Sequence, residues 1–223
     1  MNLSDLVGDW DTKLYSIIYD TKVIENLNHI NRLYLSSSKV IYPNQKDVFK
    51  AFKECPYNKF SVVILLQDPY HDGSATGIAL ANNQNTTISP SLRIVRNTIA
   101  KTVYKGDYNN FDSSLLSWEH QGVLMLNTTL TVEKGIPLSH KELWDYFTSR
   151  LLIKLSEINS GIIYCLWGKY AEYYEKFINK DSNTILKCSH PAYSIYRGED
   201  WKCDHFIKIN EYLKNFNNTT IIW

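Results

Sequence analysis

An uninterrupted apolar run at residues 62–66 (VVILL) passes directly into the polar sequence QDPYH at residues 67–71. A short run rich in β-branched residues that ends at a turn signal is typical of a strand buried in a parallel sheet. In open α/β sheets, ligands bind just beyond the carboxyl ends of such strands. The polar residues at this end are therefore candidates for a functional site. The competing interpretation is that Asp68 only caps the helix or turn that Pro69 begins.

Three further segments have the pattern of short strands that end at polar residues. They cover residues 123–126, 161–167 and 184–188. Parallel strands present their carboxyl ends at one edge of a sheet, so the polar residues that follow the four strands are expected to lie together there. Each of these residues alone could be an ordinary loop residue, but together they favour a site. The four are Asp68, Asn127, Lys169 and His190.

Helical periodicity fills the intervals between these strands. We expect helices over residues 12–34 (one or two helices), 48–52, 89–103, 139–155, 170–178 and about 204–216. Ser89 with Pro90 is a typical helix start, and Ser139 with Glu142 matches a capping box. Strands that alternate with helices predict an α/β protein, a three-layer α/β/α sandwich with a central four-stranded parallel sheet. A length of 223 residues without an internal repeat or linker predicts a single domain over residues 1–223.

The balance of charge limits how the chain could bind a polyanion. Its 24 lysines and arginines are matched by 23 acidic residues, so binding to a nucleic acid would depend on a local basic patch. One candidate is residues 92–106, which contain basic residues and no acidic residue. On composition alone, such a run is more often a solvated helix face. Its basic residues are Arg93, Arg96, Lys101 and Lys105.

Two features bear on the environment of the protein. No apolar run approaches the length of a membrane-spanning helix, and the N-terminus lacks a basic-then-apolar signal, so we expect neither a membrane span nor export. The four cysteines include no C-x-x-C pair, which favours reduced thiols over disulfides, a metal centre or an iron–sulfur cluster. They are Cys55, Cys165, Cys188 and Cys203.

An ordered set of short motifs covers nearly the whole chain. A single motif such as QDPYH would be weak evidence, but the ordered set at these spacings is highly specific. The motifs are residues 41–43, 48–52, 67–71, 89–92, 121–128, 130–132, 139–140, 166–168, 190–191, 196–198, 203–206 (C-x-H-F) and the tryptophan at 223. In this set the chain resembles the family 1 uracil-DNA glycosylases.

The resemblance implies an enzyme that hydrolyses the N-glycosidic bond between uracil and deoxyribose in DNA and leaves an abasic site, the first product of base excision repair. It implies that the substrate nucleotide is flipped out of the helix. It assigns Asp68 to stabilise the positive charge on the sugar and to orient the attacking water. It assigns His190, as a neutral imidazole, to stabilise the departing uracil anion at O2.

The resemblance also assigns the residues that recognise uracil. The amide of Asn127 can donate to O4 and accept from N3–H, which suits uracil and mismatches cytosine. The ring of Tyr70 would meet C5, where thymine carries a methyl group; without the resemblance, plain core packing is the better interpretation of Tyr70. Gln67 and Leu80 complete the expected uracil pocket.

DNA binding is expected from short loops that contact the phosphate backbone. The resemblance assigns this role to Ser91, Gly168, Lys169 and Ser189. Tyr193 matches the wedge residue that fills the emptied base stack, and Arg197 matches an arginine beside the minor groove. Without the resemblance, each of these serines would be interpreted as a helix cap or turn residue.

The reaction requires only water, so no metal and no organic cofactor is implied. The expected partner is uracil-containing DNA, single- or double-stranded, and there is no membrane partner. A proteinaceous glycosylase inhibitor and replication proteins are candidate protein partners, and a monomer is expected. The location would be cytoplasmic in a prokaryote or a cytoplasmic virus, and nuclear if the host is eukaryotic.

The chain departs from the family pattern at several positions. Leu66 and Asp72 replace glycines that usually flank the first motif, and Leu80 replaces the phenylalanine expected to stack on uracil. Lys169 replaces a serine, and the loop after His190 is one residue shorter, which puts Tyr193 at the wedge position. These changes motivate an alternative function, a catalytically weak or inactive DNA-binding accessory protein on the same fold.

Overall fold

A four-stranded parallel sheet lies at the centre of the protein in a computed structural model that describes residues 6–36, 38–82, 87–106 and 111–223. The strands in chain order are β1 (Ile41–Tyr42), β2 (Val62–Leu66), β3 (Val123–Asn127), β4 (Val132–Glu133), β5 (Ile163–Trp167) and β6 (Thr184–Cys188). The parallel sheet has the order β3-β2-β5-β6. Strands β1 and β4 form a separate antiparallel pair.

Helices connect these strands. The α-helices are α1 (Tyr15–Ile18), α2 (Thr21–Leu35), α3 (Lys50–Glu54), α4 (Pro90–Thr102), α5 (Leu116–Glu119), α6 (Lys141–Ile158), α7 (Lys169–Glu172), α8 (Pro191–Arg197) and α9 (His205–Asn217). Short 3-10 helices occupy Gly8–Trp10, Gln45–Asp47, Tyr57–Lys59 and Tyr173–Phe177. Among the described residues, none of the helices combines enough length with enough apolar character to span a lipid bilayer.

Burial in the sheet follows the composition of each strand. Every residue of the two inner strands, β2 and β5, is buried, because apolar side chains on both faces pack against other elements. Edge strand β6 is only partly buried, and its Lys187 is exposed. The predicted four-stranded parallel sheet is confirmed by this arrangement.

An aromatic cluster fixes the region where α9 packs. The ring centroid of Phe206 lies 5.0 Å from that of Trp223, 5.9 Å from that of Trp167 and 6.0 Å from that of Trp118. The indole Nε1 of Trp223 donates to the carbonyl oxygen of Phe206 at 3.0 Å. Because Trp167 is the last residue of β5, this cluster also fixes the point from which the loop at Gly168 leaves the sheet.

Two serines, Ser89 and Ser139, are predicted to cap helices, and only Ser89 does so. Ser89 caps α4 as predicted: its Oγ accepts from the N–H of Leu92 at 3.2 Å, and Pro90 occupies the first turn. The capping box at Ser139 is wrong. Helix α6 begins at Lys141 without a side-chain cap, because the Ser139 hydroxyl instead accepts from the N–H of Glu133 in β4 at 2.8 Å.

Other helix predictions hold with shifted bounds. The segment 12–34 forms two helices, α1 and α2, and the last helix lies close to its expected position. The helix expected over 170–178 is wrong in its second half, where a tighter 3-10 turn replaces the α-helix. In this turn Tyr174 is buried, and its hydroxyl donates to Asp145 of α6 at 2.6 Å.

The aromatic cluster generates a stability prediction. The substitution Phe206→Ala is expected to lower the free energy of unfolding by about 3–5 kcal/mol, because it leaves a cavity among large rings. Urea unfolding followed by circular dichroism measures this change. Phe216→Ala on the same helix is the matched control, since that ring is 77% exposed and its loss should change the free energy little. Equal effects of both substitutions would contradict the role given to the cluster.

Candidate active site

A cavity of about 450 Å³ opens at the carboxyl ends of β2 and β3. Most of the residues predicted for the site line this cavity: Gln67, Asp68, Tyr70, Leu80, Ser91, Asn127, His190 and Tyr193. The remaining predicted residues do not line it: Gly168, Lys169, Ser189 and Arg197. Three of the four polar residues expected at this sheet edge therefore meet in one cavity, and Lys169 does not join them.

Backbone pairing between two strands places the first motif beside Asn127. Leu66 is the register partner of Asn127, and its carbonyl oxygen accepts from the N–H of Thr128 at 2.9 Å. One residue further on, the carbonyl of Gln67 accepts from the N–H of Thr129 at 3.1 Å and from the hydroxyl of Thr128 at 2.7 Å. These bonds continue the pairing past the end of the strands and hold the side chain of Asp68 near Asn127.

The carboxylate of Asp68 is partly buried and held by two donors. Its Oδ2 accepts from the backbone N–H of Leu138 at 2.7 Å, and its Oδ1 accepts from Nε2 of Gln67 at 2.9 Å. Burial raises the pKa of this carboxyl above its ordinary value, and the two hydrogen bonds oppose that rise by stabilising the anion. The result is a carboxylate with one fixed orientation at the floor of the cavity.

The imidazole of His190 also lines the cavity. It lies at the N-cap of α8, where Nδ1 accepts from the N–H of Ala192 at 3.2 Å. Burial lowers the pKa of His190 below its ordinary value, which favours the neutral ring. Because Nδ1 is an acceptor, the proton of the neutral ring lies on Nε2, which can donate to a ligand.

Gly168 sets the position of His190 through close packing. Its φ of +92° lies in a region that favours glycine, and a Cβ atom at this position would lie 2.9 Å from Cβ of His190. Its N–H donates to the carbonyl of Cys188 at 2.8 Å, which joins the ends of β5 and β6. The sequence analysis predicts that Gly168 contacts DNA. Independently of that role, the close approach of the His190 loop requires a residue without a Cβ atom at this position.

The ring of Tyr70 forms a rigid wall of the cavity. Its hydroxyl donates to the carbonyl of Leu80 at 3.0 Å and lies 2.6 Å from the hydroxyl of Ser89, the cap of α4. Burial raises the pKa of this phenol to about 12. Leu80 itself is nearly buried and has a φ of +68°, so its backbone turns the carbonyl towards Tyr70.

The amide of Asn127 is available to a ligand. It is the last residue of β3, it is partly buried, and its side chain makes no hydrogen bond to any residue that the structure describes. A partly buried amide without a partner is costly unless a ligand or water satisfies it. Its donor and its acceptor therefore mark the cavity as a site for a ligand with complementary polar groups.

Helix α8 presents two aromatic side chains to the cavity and a basic side chain beside them. Tyr193 is 52% exposed and Tyr196 is 86% exposed, and both also line the cavity mouth. The guanidinium carbon of Arg197 lies 5.5 Å from the ring centroid of Tyr193. Tyr196 was missed as a site residue, although its position three residues after Tyr193 on a helix is a signal that places both on one face.

The other predicted DNA-contacting residues differ in exposure. Lys169 and Ser189 are exposed, whereas Ser91 lies within α4 and is only 8% exposed. Asp72, the acidic residue that replaces a family glycine, lies outside the cavity lining. Its Oδ1 accepts from the N–H of Ser74 at 2.9 Å and from the Ser74 hydroxyl at 2.7 Å, so its charge stabilises its own turn.

A carboxylate held by two donors, a neutral imidazole and an amide without a partner among the described residues, all around one cavity, define a three-layer α/β/α enzyme with a site for a small polar ligand. Comparison with known proteins gives the family. A family model described as the uracil DNA glycosylase superfamily matches residues 52–214. The chain belongs to this superfamily.

Individual relatives agree with the family model. The chain is 35% identical over 226 residues to a uracil-DNA glycosylase of Francisella philomiragia, an alignment that covers 100% of this chain and 99% of the relative. It is 40% identical over 203 residues to that of Aliivibrio salmonicida, with 89% of each protein covered. The predicted family, fold class and type of enzyme, a uracil-DNA glycosylase acting in DNA repair, are thereby confirmed.

Solved structures give the same fold. The crystal structure of mimivirus uracil-DNA glycosylase superposes with a TM-score of 0.88 at 26% identity, covering 100% of this chain and 89% of that protein. A variant of the mimivirus enzyme, solved in complex with UGI, superposes with a TM-score of 0.86 at 25% identity and covers 100% and 90% of the two chains.

The environment of His190 generates a prediction about its titration. Nitrogen-detected NMR should find an unprotonated Nδ1 and a protonated Nε2 at neutral pH, because Nδ1 accepts from Ala192. The midpoint of its titration should lie below the ordinary value of roughly 6.5, since burial disfavours the charged ring. The spectrum of His190→Gln assigns the resonance. A proton on Nδ1 at neutral pH would contradict this geometry.

Proposed function

We propose that the protein removes uracil from DNA by hydrolysing the bond between uracil N1 and deoxyribose C1′, with Asp68 and His190 as its catalytic residues. One observation carries this assignment. Asp68, Asn127 and His190 lie at or just beyond the carboxyl ends of three different strands and still line the same cavity. Membership of the glycosylase superfamily supports the same assignment.

Asp68 stabilises the positive charge that develops on the sugar as the glycosidic bond breaks. Leu138 and Gln67 hold the carboxylate in advance, so it does not need to reorganise when the charge appears. The same carboxylate orients a water molecule, whose oxygen bonds to C1′. The proton that this water loses leaves through the carboxylate to solvent, and the pair of electrons of the broken bond leaves with uracil.

His190 stabilises the uracil anion. Its Nε2–H donates to uracil O2, where negative charge accumulates as the base departs. A neutral donor suits this partly buried position, because burial disfavours a charged ring and the hydrogen bond to Ala192 fixes the tautomer. One preorganised donor of this kind contributes roughly 3–4 kcal/mol to transition-state stabilisation.

Asn127 and Tyr70 select uracil among the pyrimidines. The amide of Asn127 donates to uracil O4 and accepts from N3–H, whereas cytosine presents the opposite pattern at both atoms. Tyr70 meets C5 of the base with a ring that its hydroxyl contacts hold in place. A methyl group at C5, as in thymine, would collide with this ring because it cannot turn aside.

The departures from the family pattern are compatible with activity. Asp72 directs its carboxylate to Ser74, away from the cavity lining. Leu80 supports Tyr70 through its backbone carbonyl, which does not depend on its side chain. The loss of an aromatic ring at this position removes stacking on the base, a term of roughly 1–3 kcal/mol. We therefore expect weaker binding of uracil with the reacting groups retained.

DNA binds across α8 and the loops around the cavity in this proposal. Tyr193 enters the space that the flipped nucleotide leaves, and Arg197 beside it contacts the backbone near the minor groove. Ser91, Gly168, Lys169 and Ser189 contribute further phosphate contacts. Flipping costs a few kcal/mol in a duplex and least in single-stranded DNA, so single and double strands are both accessible as substrates.

We extend the proposal to the whole chain as one domain, active as a monomer where its DNA resides. That location is the cytoplasm for a prokaryotic or cytoplasmic-viral source and the nucleus for a eukaryotic host. A proteinaceous inhibitor is a further partner, supported by the solved complex of the mimivirus enzyme with UGI. Replication proteins remain candidate partners on the basis of the family resemblance.

The catalytic assignment predicts the behaviour of two variants. Asp68→Asn and His190→Ala should each lower the rate of uracil release from a single-stranded oligonucleotide by about 10²- to 10³-fold, because each removes preorganised stabilisation of charge. Release of free uracil is measured under single-turnover conditions.

Asp72→Asn and His120→Ala are the matched controls, since Asp72 lies outside the cavity lining and His120 is an exposed histidine paired with Glu54. Both controls should retain most of the activity. Wild-type activity no greater than that of Asp68→Asn and His190→Ala would refute the assignment.

A pair of substitutions at Tyr70 separates selectivity from stability. Tyr70→Ala should release thymine as well as uracil, because it removes the ring that meets C5. Tyr70→Phe keeps the ring and should still reject thymine, but the free energy of unfolding should fall by about 1–2 kcal/mol as the contacts with Leu80 and Ser89 are lost. Thymine release by Tyr70→Phe would show that the ring alone does not reject the methyl group.

A further inference from the structure

Two cysteines and a histidine lie together behind the loop that carries His190. Cys188 ends β6, two residues before His190, and Cys203 lies just before α9. Their sulfur atoms are 3.2 Å apart, with the Cys188 thiol as the donor. A ring nitrogen of His205 lies within 4.8 Å of both sulfurs. A disulfide requires about 2.05 Å between sulfurs, so the pair would have to close by only ~1 Å.

The surroundings of Cys203 favour its thiolate. Burial would raise the pKa of this thiol, but hydrogen bonds from Cys188 and His205 to its sulfur lower that pKa below the ordinary value. The indole Nε1 of Trp167 donates to Nδ1 of His205 at 3.0 Å. The neutral histidine ring therefore carries its proton on Nε2, the nitrogen that can donate to a sulfur. A thiolate is the nucleophilic form of cysteine.

A small oxidant would have to reach this pair through Cys203, which is 5% exposed. Cys203 lines a second cavity, of about 570 Å³, together with Trp201 and Asp204. The other cysteines, Cys55 and Cys165, are fully buried and lie outside the lining of this cavity. Cys188 and Cys203 thus differ from the other two cysteines in that their sulfurs are close together and one of them lines a cavity.

We propose that Cys188 and Cys203 are a redox-sensitive pair that forms a disulfide behind the active-site loop on exposure to a peroxide. The Cys203 thiolate attacks one peroxide oxygen, the O–O bond breaks, and a sulfenic acid and hydroxide form. The Cys188 sulfur then attacks the Cys203 sulfur and expels hydroxide, and the thiol proton neutralises it. In total the two thiols lose two electrons and two protons, and hydrogen peroxide becomes two water molecules.

The bridge would restrain the segment that carries the histidine. It would enclose residues 189–202, which include His190 and the whole of α8. The segment is already tied to the loop, because the indole of Trp201 donates to the carbonyl of Ser189 at 2.8 Å. Closing the sulfurs would pull the end of β6 towards Cys203. Misplacement of a catalytic group by about 1 Å can cost roughly 100-fold in rate, so the oxidised protein should release uracil more slowly.

The same residues could also be considered for a soft metal ion, and the structure favours the thiol reaction. A Cys₂His site would need a free lone pair on His205, but Nδ1 already accepts from Trp167 and the neutral ring carries its proton on Nε2. The cysteine pair needs no such rearrangement, because one thiol already donates to the other sulfur.

Intact-protein mass spectrometry after treatment with dilute hydrogen peroxide tests the thiol chemistry independently of any activity. The wild type should lose two hydrogens, and peptide mapping should find Cys188 joined to Cys203. Cys188→Ser should show no such bridge, and Cys55→Ala should still form it. Absence of the bridge in the wild type, or bridging through Cys55 or Cys165, would overturn the proposal.

The effect on the reaction rests on the proposed function and is measured separately. Uracil release by the oxidised wild type should fall by up to about 100-fold and recover with dithiothreitol, whereas Cys188→Ser should not respond. A bridge that forms without a change in rate would overturn the link to the His190 loop and leave the catalytic assignment intact. Zinc that is retained by the wild type and by Cys55→Ala but lost in Cys188→Ser would assign a metal site instead.

Discussion

The register between β2 and β3 is the constraint on which the site depends. Leu66 opposite Asn127 fixes where each strand ends, and the carbonyl of Gln67 extends that pairing to Thr128 and Thr129. A shift of one residue would turn the amide of Asn127 to the opposite face of the sheet. Because every residue of β2 is apolar and buried, the strand has no alternating pattern to set its register, and the backbone bonds from Thr128 and Thr129 to Leu66 and Gln67 hold it instead. The place of Asn127 in the cavity therefore depends on strand pairing.

Burial disfavours the charged form of both Asp68 and His190, but their hydrogen bonds stabilise different forms. Partial burial disfavours charge on Asp68 and on His190 alike. Asp68 receives two hydrogen bonds that compensate its anion, whereas the hydrogen bond of His190 to Ala192 favours a particular neutral tautomer. One cavity can thus hold an anion and a neutral donor side by side. The proposed reaction needs both states at once, because the sugar becomes positive while the base becomes negative.

Much of this arrangement could be predicted from the sequence, and the exceptions share a cause. The strands and the residues at their ends follow from apolar runs and turn signals, and Ser89 with Pro90 marks a helix start. The donor at Leu138 could not be found, because a backbone N–H seventy residues from Asp68 has no sequence signature. The capping box at Ser139 failed for a similar reason, since a contact with β4 took its hydroxyl. Contacts between different elements of the fold decided both cases, as they did for the pairing of Cys188 with Cys203.

The strand order has a consequence for synthesis of the protein. Asp68 and Asn127 belong to neighbouring strands β2 and β3, whereas the histidine follows β6, at the far edge beyond β5. A nascent polypeptide that has left the ribosome through β3 carries the base-reading amide and the carboxylate but lacks the imidazole. Under the proposed assignment, such an incomplete product, or one released early by a premature stop codon, would lack the donor for the departing base and would not remove it.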